Sequence, residues 1–104
     1  MMDGWIATVG VDEIPDDDVL GCNVQGQPIA LYRLGDDVYA TDNICTHGQA
    51  FLNDGFVGDG EIECPLHQGR FCIKTGKAKS APLTTDLKTY NVQVENGLVY
   101  IKLG

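Results

Sequence analysis

Nowhere does the chain sustain helical periodicity for more than about two turns; short runs of β-branched and aromatic residues recur instead between turn signals. That pattern predicts an all-β protein. The expected strands are Trp5–Val9, Val19–Val24, Ile29–Leu34, Val38–Thr41, Glu61–Cys64, Phe71–Ile73, Thr89–Glu95 and Leu98–Leu103. Between them lie Gln25-Gly26-Gln27-Pro28, Gly35-Asp36-Asp37, Gly58-Asp59-Gly60, Lys74-Thr75-Gly76-Lys77 and Asn96-Gly97. The last pair supplies both positive-φ residues of a tight two-residue turn, so a C-terminal hairpin is expected. Gly10–Asp18 holds Pro15 and five acids and reads as an exposed loop with room for one helical turn. From Asp42 to Gly60 the alternation weakens while Gly, Asn and Asp accumulate, and a long irregular stretch inside a compact domain usually has a function or a tether.

At 104 residues the chain is one domain. Its 15 acids against 7 bases, a formal charge of −8, argue against phosphate backbones and anionic membranes as partners. The charge is polarised, with −12 in residues 1–63 and +4 in residues 64–104, an asymmetry that either reflects a solvated surface or orients a charged partner. Met1-Met2-Asp3-Gly4-Trp5 has neither a basic nor an apolar signal region, and no segment reaches the roughly 18 apolar residues of a membrane span. A soluble, cytoplasmic monomer is expected. In a reducing compartment Cys22, Cys45, Cys64 and Cys72 read as ligands or buried thiols rather than disulfide partners.

Only two histidines exist, and each stands beside a cysteine: Cys45-Thr46-His47, then sixteen residues, then Cys64-Pro65-Leu66-His67. Both pairs lie among turn-forming residues, which points to a metal site. Two thiolates and two imidazoles suit tetrahedral zinc, and equally a 2Fe-2S cluster with both cysteines on one iron and both histidines on the other. The familiar zinc finger, however, places its two cysteines before its two histidines. Alternation of Cys and His across two loops fits the wider cluster, each loop giving one ligand to each iron.

Cys45-Thr46-His47-Gly48 with Cys64-Pro65-Leu66-His67-Gln68-Gly69-Arg70-Phe71 resembles the Rieske motif. The likeness continues through Tyr39-Ala40-Thr41-Asp42, Thr75-Gly76-Lys77-Ala78 and the final hairpin, and is to the small Rieske ferredoxins of bacterial aromatic-ring-hydroxylating dioxygenase systems of the naphthalene and biphenyl type. It implies a Rieske fold of stacked antiparallel sheets, with a cluster-binding subdomain of two loops spanning about 42–80, inserted into a base made from the chain's two ends. It further implies one 2Fe-2S cluster, with Cys45 and Cys64 on one iron and His47 and His67 on the other. Such a site is neutral when oxidised and −1 when reduced, and the added electron should settle on the histidine-bound iron.

The same resemblance bears on potential. High-potential respiratory members carry an extra cysteine in each cluster loop, and follow the second histidine with Gly-Ser-x-Tyr. Here Leu66 stands at the second-loop cysteine, no cysteine follows His47 in the first loop, and Gly69 and Phe71 replace the two hydroxyl donors. Fewer donors to sulfur should place the midpoint at the low end of the Rieske range.

Missing features define the role. The two further histidines and carboxylate of a mononuclear oxygenase iron are not available. Gly58-Asp59-Gly60-Glu61-Ile62-Glu63 begins like a dinucleotide fingerprint but ends in Glu and opens no helix. The chain therefore reads as a non-catalytic carrier that takes an electron from one protein and passes it to another. The resemblance to the Rieske ferredoxins implies which: a flavin-dependent NAD(P)H ferredoxin reductase as donor and a terminal aromatic-ring-hydroxylating oxygenase as acceptor, with docking expected near the histidine-bound iron. Rival readings are a small Rieske subunit of an enzyme such as nitrite reductase, and a structural zinc module. Cys22, Cys72 and Trp5 read as packing residues, with a role beside the second cluster loop left open for Cys72, and Asp16-Asp17-Asp18 reads as a solvated run. Arg70, Lys74, Lys77 and Lys79 either frame the cluster or solubilise a turn. Pro65, Gly48 and Gly69 are expected to shape the loops.

Overall fold

The structure, a computed structural model, describes residues 4–46, 48, 50–66, 68–80, 83 and 85–103. The strands are β1 (Trp5–Gly10), β2 (Asp18–Val24), β3 (Gln27–Leu34), β4 (Asp37–Asp42), β5 (Phe56–Gly58), β6 (Glu61–Glu63), β7 (Arg70–Cys72), β8 (Thr89–Glu95) and β9 (Leu98–Lys102). They form a six-stranded sheet of order β1-β9-β8-β4-β3-β2 and a three-stranded sheet of order β5-β6-β7. Every neighbouring pair is antiparallel, and the all-β expectation holds.

The eight expected strands are present. At Asn96 (φ 53°) and Gly97 (φ 76°) the backbone takes the positive dihedrals that the hairpin turn requires. The helical turn anticipated after Gly10 is the 3-10 turn Val11–Glu13. Most strands differ from expectation by one or two residues at an end, and two of these shifts concern the loops that follow β6 and β7. Cys64 falls just past β6, where its N–H donates to Gly69 O (2.8 Å), and Ile73 falls past β7, where its N–H donates to Gly60 O (3.0 Å). The stretch from Asp42 to Gly60 is less irregular than expected. It holds an Ile44–Phe51 bridge, a 3-10 turn at Leu52–Asp54 and β5. A three-residue strand is too short to display alternation, so its pairing with β6 comes from the tertiary contact.

Strand β3 explains how so small a chain builds two cores. Its residues Ile29, Ala30, Leu31 and Tyr32 are all fully buried. Because successive side chains point to opposite faces, Ala30 and Tyr32 enter one cluster while Ile29 and Leu31 enter the other. The second cluster, with Ile14, Val99 and Ile101, lies between the strands of the large sheet. The first joins β3 to the small sheet through Ile62 and Phe71, and also contains Cys45 and Cys64.

Two tyrosines lock β4 into place. Tyr32 Oη and Thr41 Oγ1 are 2.8 Å apart inside the core, and Tyr90 Oη on β8 donates a short hydrogen bond to Asp42 Oδ1, at the end of β4. Burial first, then the bond to Asp42 and its negative charge, push the Tyr90 phenol above its ordinary range. Burial does the same to Tyr32, partly countered by its bond to Thr41. The folded state thus holds these protons more tightly than the unfolded chain. The resulting stability is complete below the ordinary tyrosine value of about 10 and is lost as pH rises beyond it. Denaturant unfolding at stepped alkaline pH should show this decline, and Tyr90→Phe should flatten it while costing roughly 1–2 kcal/mol at neutral pH.

Candidate metal centre

The first cysteine loop leaves β4 and is held by one buried amide. Asn43 is 5% exposed, and both its backbone and its side chain are engaged. Its N–H donates to Pro28 O (3.1 Å) and its O accepts from Leu52 N–H (2.7 Å). Its Nδ2 donates to Asn53 Oδ1 (2.7 Å), and its Oδ1 accepts from Asn53 N–H (2.9 Å). This closes the base of a small loop whose top is tied by Cys45 N–H to Ala50 O (2.9 Å). Sequence reasoning missed Asn43. The signal available was an amide residue two places before the first cysteine of the motif.

The second loop joins β6 to β7. Cys64 N–H donates to Gly69 O, and Cys64 O accepts from Gln68 N–H (3.0 Å), with Gln68 at φ 57°. Gly69 is buried, and a Cβ there would meet Leu83 Cγ at 2.6 Å and both of its δ carbons at 2.9 Å. Leu83 belongs to a third wall that sequence reasoning also missed. Leu83 and Leu87 are buried, Arg70 N–H donates to Ser80 Oγ (3.0 Å), and Thr46 Oγ1 donates across to Thr85 O (2.8 Å). With no alternation and no motif, this segment carries no local signal.

The four cysteines are sorted by the fold. Cys45 (3% exposed) and Cys64 (0%) enter the same core cluster, while Thr46, Pro65, Leu66 and Gln68 around them face solvent. Two thiols turned inward from facing loops are what a cluster-binding site needs, and their chemistry suits iron held through sulfur. Cys22 is half-buried against the other core, as a packing residue, and burial raises its thiol pKa. Cys72 corrects the packing expectation. It is only half-buried, and a hydrogen bond with Thr75, aided by backbone N–H groups and Lys79, lowers its pKa. His47 and His67 lie outside the described residues, so the described part of the expected ligand set is Cys45 and Cys64.

The charges around the loops are also clarified. Arg70 Nε lies 3.3 Å from Glu63 Oε1, and Nη1 lies 3.9 Å from Glu61 Oε1, so its positive charge is offset locally.

Residues 4–91 match the model of the Rieske [2Fe-2S] domain. The chain belongs to the Rieske family. A Rieske domain carries a 2Fe-2S cluster, and the buried cysteines fit that group. The Rieske chain is 53% identical to the ferredoxin component of the naphthalene 1,2-dioxygenase/salicylate 5-hydroxylase systems of Ralstonia sp, over 99% of both chains. It is 52% identical to the naphthalene 1,2-dioxygenase ferredoxin component of Pseudomonas aeruginosa, again over 99% of both. Among solved structures, a complex of reduced oxygenase and oxidized ferredoxin in carbazole 1,9a-dioxygenase contains a chain similar to this one. The two share 36% identity at a TM-score of 0.89, covering 97% of this chain and 94% of that one. Among the described residues, no helix is long and apolar enough to cross a membrane.

Proposed function

We propose that Cys45, His47, Cys64 and His67 hold a Rieske 2Fe-2S cluster, and that the chain is a cytoplasmic one-electron carrier between a flavin-dependent NAD(P)H ferredoxin reductase and a terminal aromatic-ring-hydroxylating oxygenase. The observation that carries this reading is the burial of Cys45 and Cys64 in one core cluster at the ends of facing loops. Full-length identity above half with ferredoxin components supports the physiological role. When bound, the cluster supplies a one-electron couple. The chain's own residues shape its surroundings: Asn43 fixes the first loop, the Cys64–Gly69 bond closes the second, and buried Leu83 packs against Gly69. Segment 42–80 serves as the cluster-binding part, carried by strands from both ends of the chain.

The reading is tested by reconstitution. Purified reductase and terminal oxygenase of a naphthalene dioxygenase system should hydroxylate naphthalene only when the holoprotein is added. Its reduced state should give the electron paramagnetic resonance of a histidine-ligated cluster. Reductase and oxygenase coupling equally well without it, or stable co-purification with a nitrite reductase, would overturn the carrier assignment.

A further inference from the structure

The two flanks of the cysteine-bearing end differ in kind. The sequence segments 43–53, 64–69 and 80–85, to which the described loop residues around Cys45 and Cys64 belong, contain no Asp, Glu, Lys or Arg in a chain that has 22 such residues. On the second-loop flank, Phe56 is 67% exposed, but on the solvent face of β5-β6-β7 it stands beside Glu61, Glu63 and the Arg70 that pairs with both. Covering that flank would strip water from ion pairs, which is costly.

The first-loop flank carries no such charges on its crest. Ile44 (45% exposed) and Phe51 (47%) are bridged across the loop. Shallow grooves of about 370 Å³ and about 210 Å³ lie beside Phe51 and Ile44 respectively, and Pro28 lines both. Several polar groups along this shelf are already occupied: Asn43 and Asn53 bond each other, Asn23 Oδ1 accepts from Gly26 N–H, and Asp42 accepts from Tyr90, while the exposed Gln27 faces water. Among the described residues no buried side-chain nitrogen or oxygen lacks a partner. A neutral surface laid on Ile44 and Phe51 would gain apolar burial while the bonded Asn43, Asn53 and Asp42 keep their partners.

We infer that the Pro28–Ile44–Phe51 shelf is where the terminal oxygenase docks, through an uncharged apolar projection on its own surface; this rests on the carrier reading above. Ile44 is the chain neighbour of Cys45, so a partner seated on it lies against the ligand loop. Two exposed large side chains and a proline fall well short of the roughly 800 Å² per partner of a stable association, which argues for a transient electron-transfer contact rather than a second copy of this chain. A chain 36% identical to this one has been solved in complex with an oxygenase, which supports an oxygenase as the occupant.

The test uses the holoprotein with Ile44→Gln and with Phe51→Gln, both at exposed positions, and Phe56→Gln as the opposite-flank control. Calorimetric titration against purified oxygenase of a naphthalene dioxygenase system should show about tenfold weaker binding for each shelf variant. The visible spectrum, the midpoint potential and the rate of cluster bleaching by reductase should stay unchanged, and Phe56→Gln should bind as wild type. In a Cys72→Ser background, oxygenase should also slow alkylation of Cys22, which lines the larger groove. Unchanged oxygenase affinity in both shelf variants overturns the proposal, as does weakening confined to Phe56→Gln. A defect only in reduction by the reductase assigns the shelf to that partner instead, and concentration-dependent self-association lost in the variants assigns it to a second copy. Wild-type holoprotein unable to reduce the oxygenase overturns the carrier reading itself; wild type that reduces it no better than the shelf variants overturns this proposal alone.

Discussion

A Cys64→Ala variant is expected to purify without iron–sulfur absorption, and to melt at least ~10 °C lower than the holoprotein. Cys64 is fully buried at the start of the second loop, and alanine keeps the apolar contact while removing this residue's iron-binding sulfur. The small void left by the sulfur costs about 1 kcal/mol. The larger loss is the cluster, which stabilises the folded state by binding it alone and stapling the two loops. A combined loss of roughly 2 kcal/mol or more corresponds to that melting shift in a domain of this size. Hydrogen exchange should quicken first in residues 43–54 and 64–70, while the β8–β9 hairpin, remote from both cysteines in sequence, stays protected. Cys22→Ala and Cys72→Ala should keep their colour. A Cys64→Ala protein with full iron content would remove Cys64 from the ligand set.

The second large effect concerns Gly69. By resemblance, a serine there would donate to cluster sulfur and raise the potential, since a donor favours the more negative reduced site. The structure adds an obstacle: the new Cβ would stand 2.6 Å from Leu83 Cγ. Gly69→Ser alone should therefore be overpacked and lose about 1–3 kcal/mol without a clean gain in potential. Combined with Leu83→Ala, which empties the contested space, it should shift the midpoint upward by ~60 mV. That is the one-electron equivalent of a tenfold preference, within the range of one hydrogen bond to a charged group. Wild type itself should titrate near −150 mV, at the low end for Rieske centres. A wild-type midpoint above about +100 mV, or a Gly69→Ser single variant as stable as wild type, would contradict the account.

These predictions draw on different amounts of local information. The C-terminal hairpin was legible because Asn96-Gly97 encodes its own dihedral angles, whatever surrounds it. The pairing of each histidine with a cysteine was legible because ligand chemistry needs those residue types at short spacing. Cys72 was misread because a cysteine among apolar neighbours looks buried. Its exposure depends on the register Glu61↔Cys72, which places it with Glu61 and Glu63 on the solvent face.

The charge halves show the same divide. The count of −12 and +4 is correct as arithmetic, yet Arg70 from the basic half meets Glu61 and Glu63 from the acidic half. The loops between them carry no charge at all.

Sequence alone determined the all-β class, most strand positions, the candidate ligands and the family, because each is written in alternation, turn residues or contiguous motif spacing. Only the tertiary structure decided that β3 is buried on both faces, that Asn43 holds the first loop, that Leu83 fills the space beside Gly69, and that one flank of the site is apolar while the other is ion-paired. These are contacts between segments distant along the chain. They arise when the sheets pack, and no local pattern encodes them.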